Sequence, residues 1–304
     1  MTTPAPALNA TRFLDPKTIL AIRNLELRAR VVVEGFILGL HRSPFHGFSV
    51  EFSEYRQYSP GDDVRYIDWK LFGRSDRYYL KKFEDETNLR CFFLVDMSRS
   101  MSFASETMGG KTKADYGITV AASLSYFLSK QGDATGLLSF DSAIRDYMPA
   151  RNRPGHLHQM MLTLDKPASG KETNVAAPLR RIAELVNKRG MMVLISDLLS
   201  PYETFADALS QLRAVGHEVI VFQILDPAEL DFTYKDSSQF EDLETGNLLY
   251  IDPEKVRTDY LANINAHQQR IRDLCVTHGI TRQILRTDQP LELALFHFLT
   301  SRSS

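Results

Sequence analysis

The sequence predicts an α/β fold: a mostly parallel sheet with one antiparallel edge strand and helices on both faces, preceded by a smaller N-terminal unit of helix and strands. Three observations predict it. From residue 89 onward, short apolar runs at 89–95, 134–140, 190–196, 217–224 and 280–286 alternate with helical patterns at about 113–130, 174–188, 202–215 and 254–278. Such alternation builds crossover units on a parallel sheet. The segment "AIRDYMP" (143–149) follows the second run after only two or three residues, too few for a crossover, so it pairs antiparallel at an edge. Two of the runs stop at a carboxylate, Asp96 and Asp197, at the strand ends where open α/β sheets bind ligands.

Taken in order, residues 1–15 read as a flexible tail; "MTTPAPALNATRFLD" has no basic region followed by an apolar stretch and so is not a secretory signal. Asp15-Pro16 is an N-cap followed by an N1 proline, and Ile19, Ile22, Leu25 and Ala29 recur at helical spacing, which predicts one helix over about 16–38. Phe48, Val50 and Phe52 alternate with Ser49, Glu51 and Ser53, the pattern of a half-buried strand. A Pro60-Gly61 turn, the single Trp69 as a core anchor and a second strand at about Arg77 to Phe83 complete a unit over 16–88. Asp62, Asp63, Arg65, Asp68, Arg74 and Asp76 are a self-paired polar clamp or, in a functional reading, a partner-docking surface or a second acidic site. The α/β domain then spans 89–304, with a hairpin inserted at about 228–252 around Gly246.

Composition excludes several functions. Thirty-six Lys and Arg against 38 Asp and Glu give a net charge of −2, which argues against a broad electrostatic grip on nucleic acid or anionic lipid. Cys91 and Cys275 lie far apart without CxxC spacing, so neither a thiolate metal site nor a structural disulfide is expected and a reducing cytosol fits. Val31 to Leu40 is interrupted by Glu34 and two glycines and falls short of the roughly 20 residues of a membrane span. "GGKTK" (109–113) lacks the first glycine of a phosphate loop, Ser105 standing there. A strand-end phosphatase aspartate would need a second acid where Ser98 stands, and no GxSxG elbow exists. His156 and His158 have no further clustered ligands and read as helix-surface residues.

The chemistry concentrates in "CFFLVDMSRSMS" (91–102), "SGKETNVAAPL" and "LISDLLS". Asp96, Ser98, Ser100, Thr173 and Asp197 would offer five oxygens to a hard cation and leave its shell incomplete. The plainer alternative is that Ser98 or Ser100 caps a helix and Asp197 a turn. The order and placement resemble a von Willebrand factor A-like domain with its metal-ion-dependent adhesion site: DxSxS as Asp96 to Ser100, a threonine as Thr173, an aspartate after a later strand as Asp197. The resemblance implies that Ser98, Ser100 and Thr173 contact Mg²⁺, that the aspartates act largely through water, and that a partner's Glu or Asp completes the shell. Upstream, "SPFHGFSVEFSEYRQYSPGDDVRYIDWKLFGRSDRYYLKKFEDE", with "LRAVGHEVIVFQILDPAELDF" and "FEDLETGNLLYID" downstream, resembles a bacterial family of unknown function numbered fifty-eight. Members of that family typically travel with a MoxR-type AAA+ ATPase in a chaperone-like or protein-maturation system.

The expectation is therefore a cytoplasmic, non-enzymatic, metal-dependent protein-protein binding module. Mg²⁺, or another divalent cation such as Mn²⁺ or Ca²⁺, is its cofactor; a MoxR-type ATPase and a client's acidic side chain are its partners. Two alternatives stand beside it: a metal-free assembly subunit, and a Mg²⁺-dependent hydrolase on the same site, for which Glu172 and Asp141 are the only nearby acids by loop position.

Overall fold

The computed structural model describes residues 15–41, 55–57, 79–81, 89–166, 176–186, 188–234, 238–241 and 248–302. Residues 1–39 and 89–304 group into one unit and residues 40–88 into another. The helices through Gly39 thus belong with the α/β unit. In the smaller unit β1 (Tyr55–Gln57) pairs antiparallel with β2 (Tyr79–Lys81), Arg56 facing Leu80. The strand expected at 48–52, the Pro60-Gly61 turn, Trp69 and the charged block from Asp62 to Asp76 lie outside the described residues.

The single helix predicted over 16–38 is two helices, α1 (Pro16–Leu20) and α2 (Leu25–His41). Asp15 Oδ2 accepts the Thr18 N–H at 3.3 Å, and Asn24 Oδ1 accepts the Leu27 N–H at 2.8 Å. This second cap starts a new helix although the apolar period runs on through the break. Arg28 clasps the junction: Nε and Nη2 donate to the Ile22 carbonyl at 2.9 and 2.6 Å, and Nη1 to Thr119 Oγ1 at 3.0 Å.

The main sheet contains β3 (Arg90–Asp96), β4 (Ala134–Phe140), β5 (Ile144–Arg151), β6 (Met191–Ser196), β7 (Glu218–Leu225) and β10 (Thr281–Arg286), in the order β10-β7-β6-β3-β4-β5. Between β7 and β10, β8 (Ser238–Glu241) and β9 (Leu248–Ile251) form a separate antiparallel pair inside the predicted hairpin region. Every pairing in the main sheet is parallel except β4 with β5. The strand order reverses between β3 and β6. β3 and β6 read as continuous apolar runs because both faces are covered.

The remaining helices are α3 (Lys113–Lys130), α4 (His156–Leu164), α5 (Ala176–Leu185), α6 (Tyr202–Ala214), α7 (Pro227–Asp231), α8 (Pro253–His278) and α9 (Glu292–Arg302). α3 lies against β3, β4, β6 and β7. Leu179 of α5, Phe205 and Leu209 of α6 and Ile271 of α8 pack with Phe92, Leu94 and Val221 in a core on the sheet. His156 corrects its surface placement: it is 4% exposed, with Nε2 2.7 Å from the Thr135 carbonyl, whereas His158 is exposed and 3.2 Å from Glu26.

Gly136 sits at the irregularity of the β4–β5 pairing, where a Cβ would come within 2.7 Å of Phe92 Cδ1, 2.8 Å of Ala150 N and 2.9 Å of Met148 O. Backbone cannot give way there, so Gly136→Ala is expected to lower stability by about 1–3 kcal/mol in urea unfolding. Burial pushes the Cys275 thiol up to about 11. Native protein at about pH 8 should therefore show little iodoacetamide labelling at Cys275 by mass spectrometry, and urea should expose it to rapid labelling.

Candidate functional site

β3 and β6 run side by side with Val95 opposite Ile195, so Asp96 and Ser196 leave the sheet as neighbours. Ser196 Oγ donates to Asp96 Oδ2 at 2.5 Å, and the Ser98 N–H donates to Oδ1 at 2.9 Å. Asp96 is wholly buried, and its carboxyl is pushed from 3.8 up to about 6, first by burial and then by the charge of Asp197. The bonds from Ser196 and Ser98 work in the opposite direction without restoring the ordinary value.

The chain then turns through a short 3₁₀ segment, Arg99–Ser102. Ser98 stands at its N-cap position but makes no side-chain capping bond. Instead its hydroxyl lies 3.2 Å from that of Ser100. The Ser102 hydroxyl donates to the Arg99 carbonyl at 2.5 Å, so it serves the turn.

Asp197 follows β6. Its Oδ1 accepts the Leu199 N–H at 3.2 Å, and its Oδ2 is 2.7 Å from Lys113 Nζ. Lys113 is fully buried at the first position of α3, behind a capping box made by Thr112 and Asp115. Its ammonium also reaches Glu229 Oε1 on α7 at 2.6 Å. Burial acts to lower the lysine's pKa, but Asp197 and Glu229 outweigh it and hold the group above its ordinary value. Burial raises the Glu229 carboxyl against the pull of Lys113.

Supporting groups surround this pair. Leu198 adopts φ 51°, a left-handed backbone that a non-glycine residue rarely takes, as does Phe232 at φ 45°. The Leu198 N–H donates to Ser196 Oγ at 3.1 Å, and its carbonyl lies 2.7 Å from His267 Nε2 on α8. Gln223 of β7 donates to the Asp197 carbonyl at 2.8 Å and accepts from Arg282 of β10. Asp226, a third buried carboxylate at a strand end, accepts the Ser105 hydroxyl at 2.9 Å and the Thr287 hydroxyl at 3.3 Å.

The structure therefore brings Asp96, Ser98, Ser100 and Asp197 to the carboxyl ends of β3 and β6, beside the point of strand reversal. Thr173 and Glu172 lie outside the described residues. Asp141 accepts the Ala143 N–H at 3.1 Å and lies 3.9 Å from Arg145 Nε. Sequence reasoning missed Lys113, Ser196, Asp226 and Glu229. For Lys113 a signal existed: a lysine opening a capped helix, where acids ordinarily stand. Asp226 likewise ends an apolar run before a proline.

Among the described residues no three His, Cys, Asp or Glu side chains converge as metal ligands. The donor set is instead rich in hydroxyls and fits a hard cation on two counts. Adjacent oxygens on an octahedral Mg²⁺ stand about 3 Å apart, and the Ser98 and Ser100 hydroxyls are 3.2 Å apart. Asp96 and Asp197 also repel one another in a buried setting, which a positive charge between them would relieve.

Comparison with known proteins supplies relatives. An uncharacterized protein of Mycobacterium tuberculosis is 29% identical over 295 residues, covering 95% of this chain and 90% of the relative. An uncharacterized protein of Mycobacterium avium is 27% identical over 161 residues, covering 51% of this chain and 93% of its own. Among solved structures, BatB from Bacteroides thetaiotaomicron has a TM-score of 0.46 at 11% identity, covering 71% of this chain and 100% of that one. The SpRpn10 VWA domain has a TM-score of 0.39 at 12% identity, covering 68% and 93%. The model of the family described as "Protein of unknown function DUF58" matches residues 54–270, and the chain belongs to that family.

Proposed function

We propose that this chain is a divalent-cation-dependent protein-binding module. Ser98, Ser100 and Thr173 would hold the cation directly, with Asp96 and Asp197 supplying charge around it. A bound Mg²⁺ would supply an electrophilic position for an acidic side chain of a partner. The observation that carries the reading is the Asp96-Ser98-Ser100 turn, its Ser98 hydroxyl not spent on a helix cap, standing beside Asp197 where the strand order reverses.

On this reading the protein works without turnover, in the cytoplasm, as partner or adaptor of a MoxR-type AAA+ ATPase. The resemblance of its upstream signature block supports that partnership. Among the described residues no helix is long and apolar enough to cross a membrane.

Calorimetric titration with Mg²⁺ tests the metal claim: wild type should bind, and Asp96→Ala, checked for folding by circular dichroism, should not. Equal heats from both proteins would remove the claim. Capture of a MoxR-type ATPase from the same organism should fall when EDTA is added. A screen for Mg²⁺-dependent phosphoesterase or peptidase turnover, with Asp197→Ala as control, should find none.

A further inference from the structure

The cation reading leaves open which ion the site takes, and the inference here rests on that reading. We infer that Lys113 is the specificity-determining residue of the site. By holding Asp197 on its ammonium, it keeps that carboxylate out of the direct coordination shell and so selects a small, water-retaining cation, Mg²⁺ or Mn²⁺, over Ca²⁺.

Both oxygens of Asp197 are already engaged, Oδ2 by Lys113 Nζ at 2.7 Å and Oδ1 by the Leu199 N–H at 3.2 Å. The ammonium cannot swing aside. Glu229 Oε1 holds it from the other side at 2.6 Å, and Glu229 is itself fixed because its Oε2 accepts the Asp226 N–H at 2.9 Å. The backbone of Lys113 is pinned as the first residue of a helix whose capping box is complete. The Lys113 side chain is 0% exposed and that of Asp197 1%, so no open solvent reaches the pair to take over either partner's bond.

Asp96 is constrained in a similar way, with the Ser98 N–H on one oxygen and the Ser196 hydroxyl on the other. Carboxylates with fixed hydrogen bonds on every oxygen are poor bidentate ligands. Ca²⁺ takes about six to eight oxygens at roughly 2.3–2.6 Å, often from bidentate carboxylates, whereas Mg²⁺ takes six at about 2.0–2.1 Å and retains several waters. A shell of serine hydroxyls and water, with the negative charges one layer further out, suits the smaller ion. Releasing Asp197 from Lys113 would return a carboxylate to the direct shell and favour the larger one.

The experiment is calorimetric titration with MgCl₂ and, separately, CaCl₂. It uses wild type and the variant Lys113→Met/Glu229→Gln, which removes the ammonium together with its second carboxylate. Wild type should prefer Mg²⁺, and in the double variant the Ca²⁺ to Mg²⁺ affinity ratio should rise about tenfold or more. Glu229→Gln alone, which only loosens the ammonium, should shift the ratio in the same direction by less. A wild type that binds Ca²⁺ as tightly as Mg²⁺ overturns the inference while leaving the cation site standing, and needs no variant to fold. So does an unchanged ratio in both variants. A wild type that binds neither ion overturns the inference and the metal reading together.

Discussion

Lys113→Met alone is expected to cost about 3–5 kcal/mol of folding stability, seen as a lower urea midpoint at unchanged slope. The wild-type ammonium is wholly buried between two carboxylates, Asp197 at 2.7 Å and Glu229 at 2.6 Å. Methionine fills much of the volume but leaves two like charges facing each other in a low dielectric. The loss is thus the cost of stranding the acids, larger than the net worth of the pair. Lys113→Met/Glu229→Gln should recover part of it, with a coupling energy above about 1 kcal/mol in the double-mutant cycle. A loss below about 1 kcal/mol for the single variant would mean that the carboxylates find other partners, and the account of Lys113 would fail.

Asp96→Asn should do the opposite: stabilise the metal-free protein at neutral and alkaline pH while removing cation binding. The sign follows from the direction of the shift. The folded-state carboxyl is raised from 3.8 to about 6, so the folded protein holds its proton more tightly than the unfolded chain does. The stability this contributes is complete below the unfolded value and is lost as pH rises through the folded one. Above about pH 7 the folded state carries a buried, repelled carboxylate, and the neutral amide removes a penalty of about 2–3 kcal/mol. The local bonds survive the exchange: the amide oxygen can accept the Ser98 N–H, and the amide group can donate to the Ser196 hydroxyl. Urea unfolding in EDTA between about pH 4 and 8 is the check, with wild type losing stability relative to Asp96→Asn across that window. Parallel curves would show that Asp96 does not carry the penalty. Such a gain in stability would mark Asp96 as kept for binding rather than for folding.

Much of the fold was legible because its information is local. Core strands such as Met191–Ser196, buried throughout, are unbroken apolar runs whose length separates them from helices. The close spacing of Phe140 and Ile144 announced the antiparallel edge. Asp96, Ser98, Ser100 and Asp197 could be placed because each follows a strand whose end the hydrophobic pattern marks. The break between α1 and α2 was hidden, since apolar spacing continues across it and only the Asn24 side chain interrupts it. The position of Lys113 at the head of a capped helix was visible, but what it binds was hidden more deeply. Its partners lie 84 and 116 residues away, and no period in the sequence reports a contact made by the fold itself. "GGKTK" drew notice as a phosphate loop, while the lysine that matters there faces carboxylates.

The seclusion of the Lys113–Asp197 pair has a consequence for experiments in concentrated salt. Screening is the work of mobile ions, which act on charges they can approach. Arg181 and Glu184, with side chains 59% and 64% exposed, will lose their attraction as ionic strength rises, whereas Lys113 and Asp197, at 0% and 1%, will keep theirs. A salt titration therefore leaves the interior of the site intact and weakens only what happens at its mouth. If binding of an acidic partner fades in high salt while the melting temperature holds, the loss belongs to the encounter between surfaces.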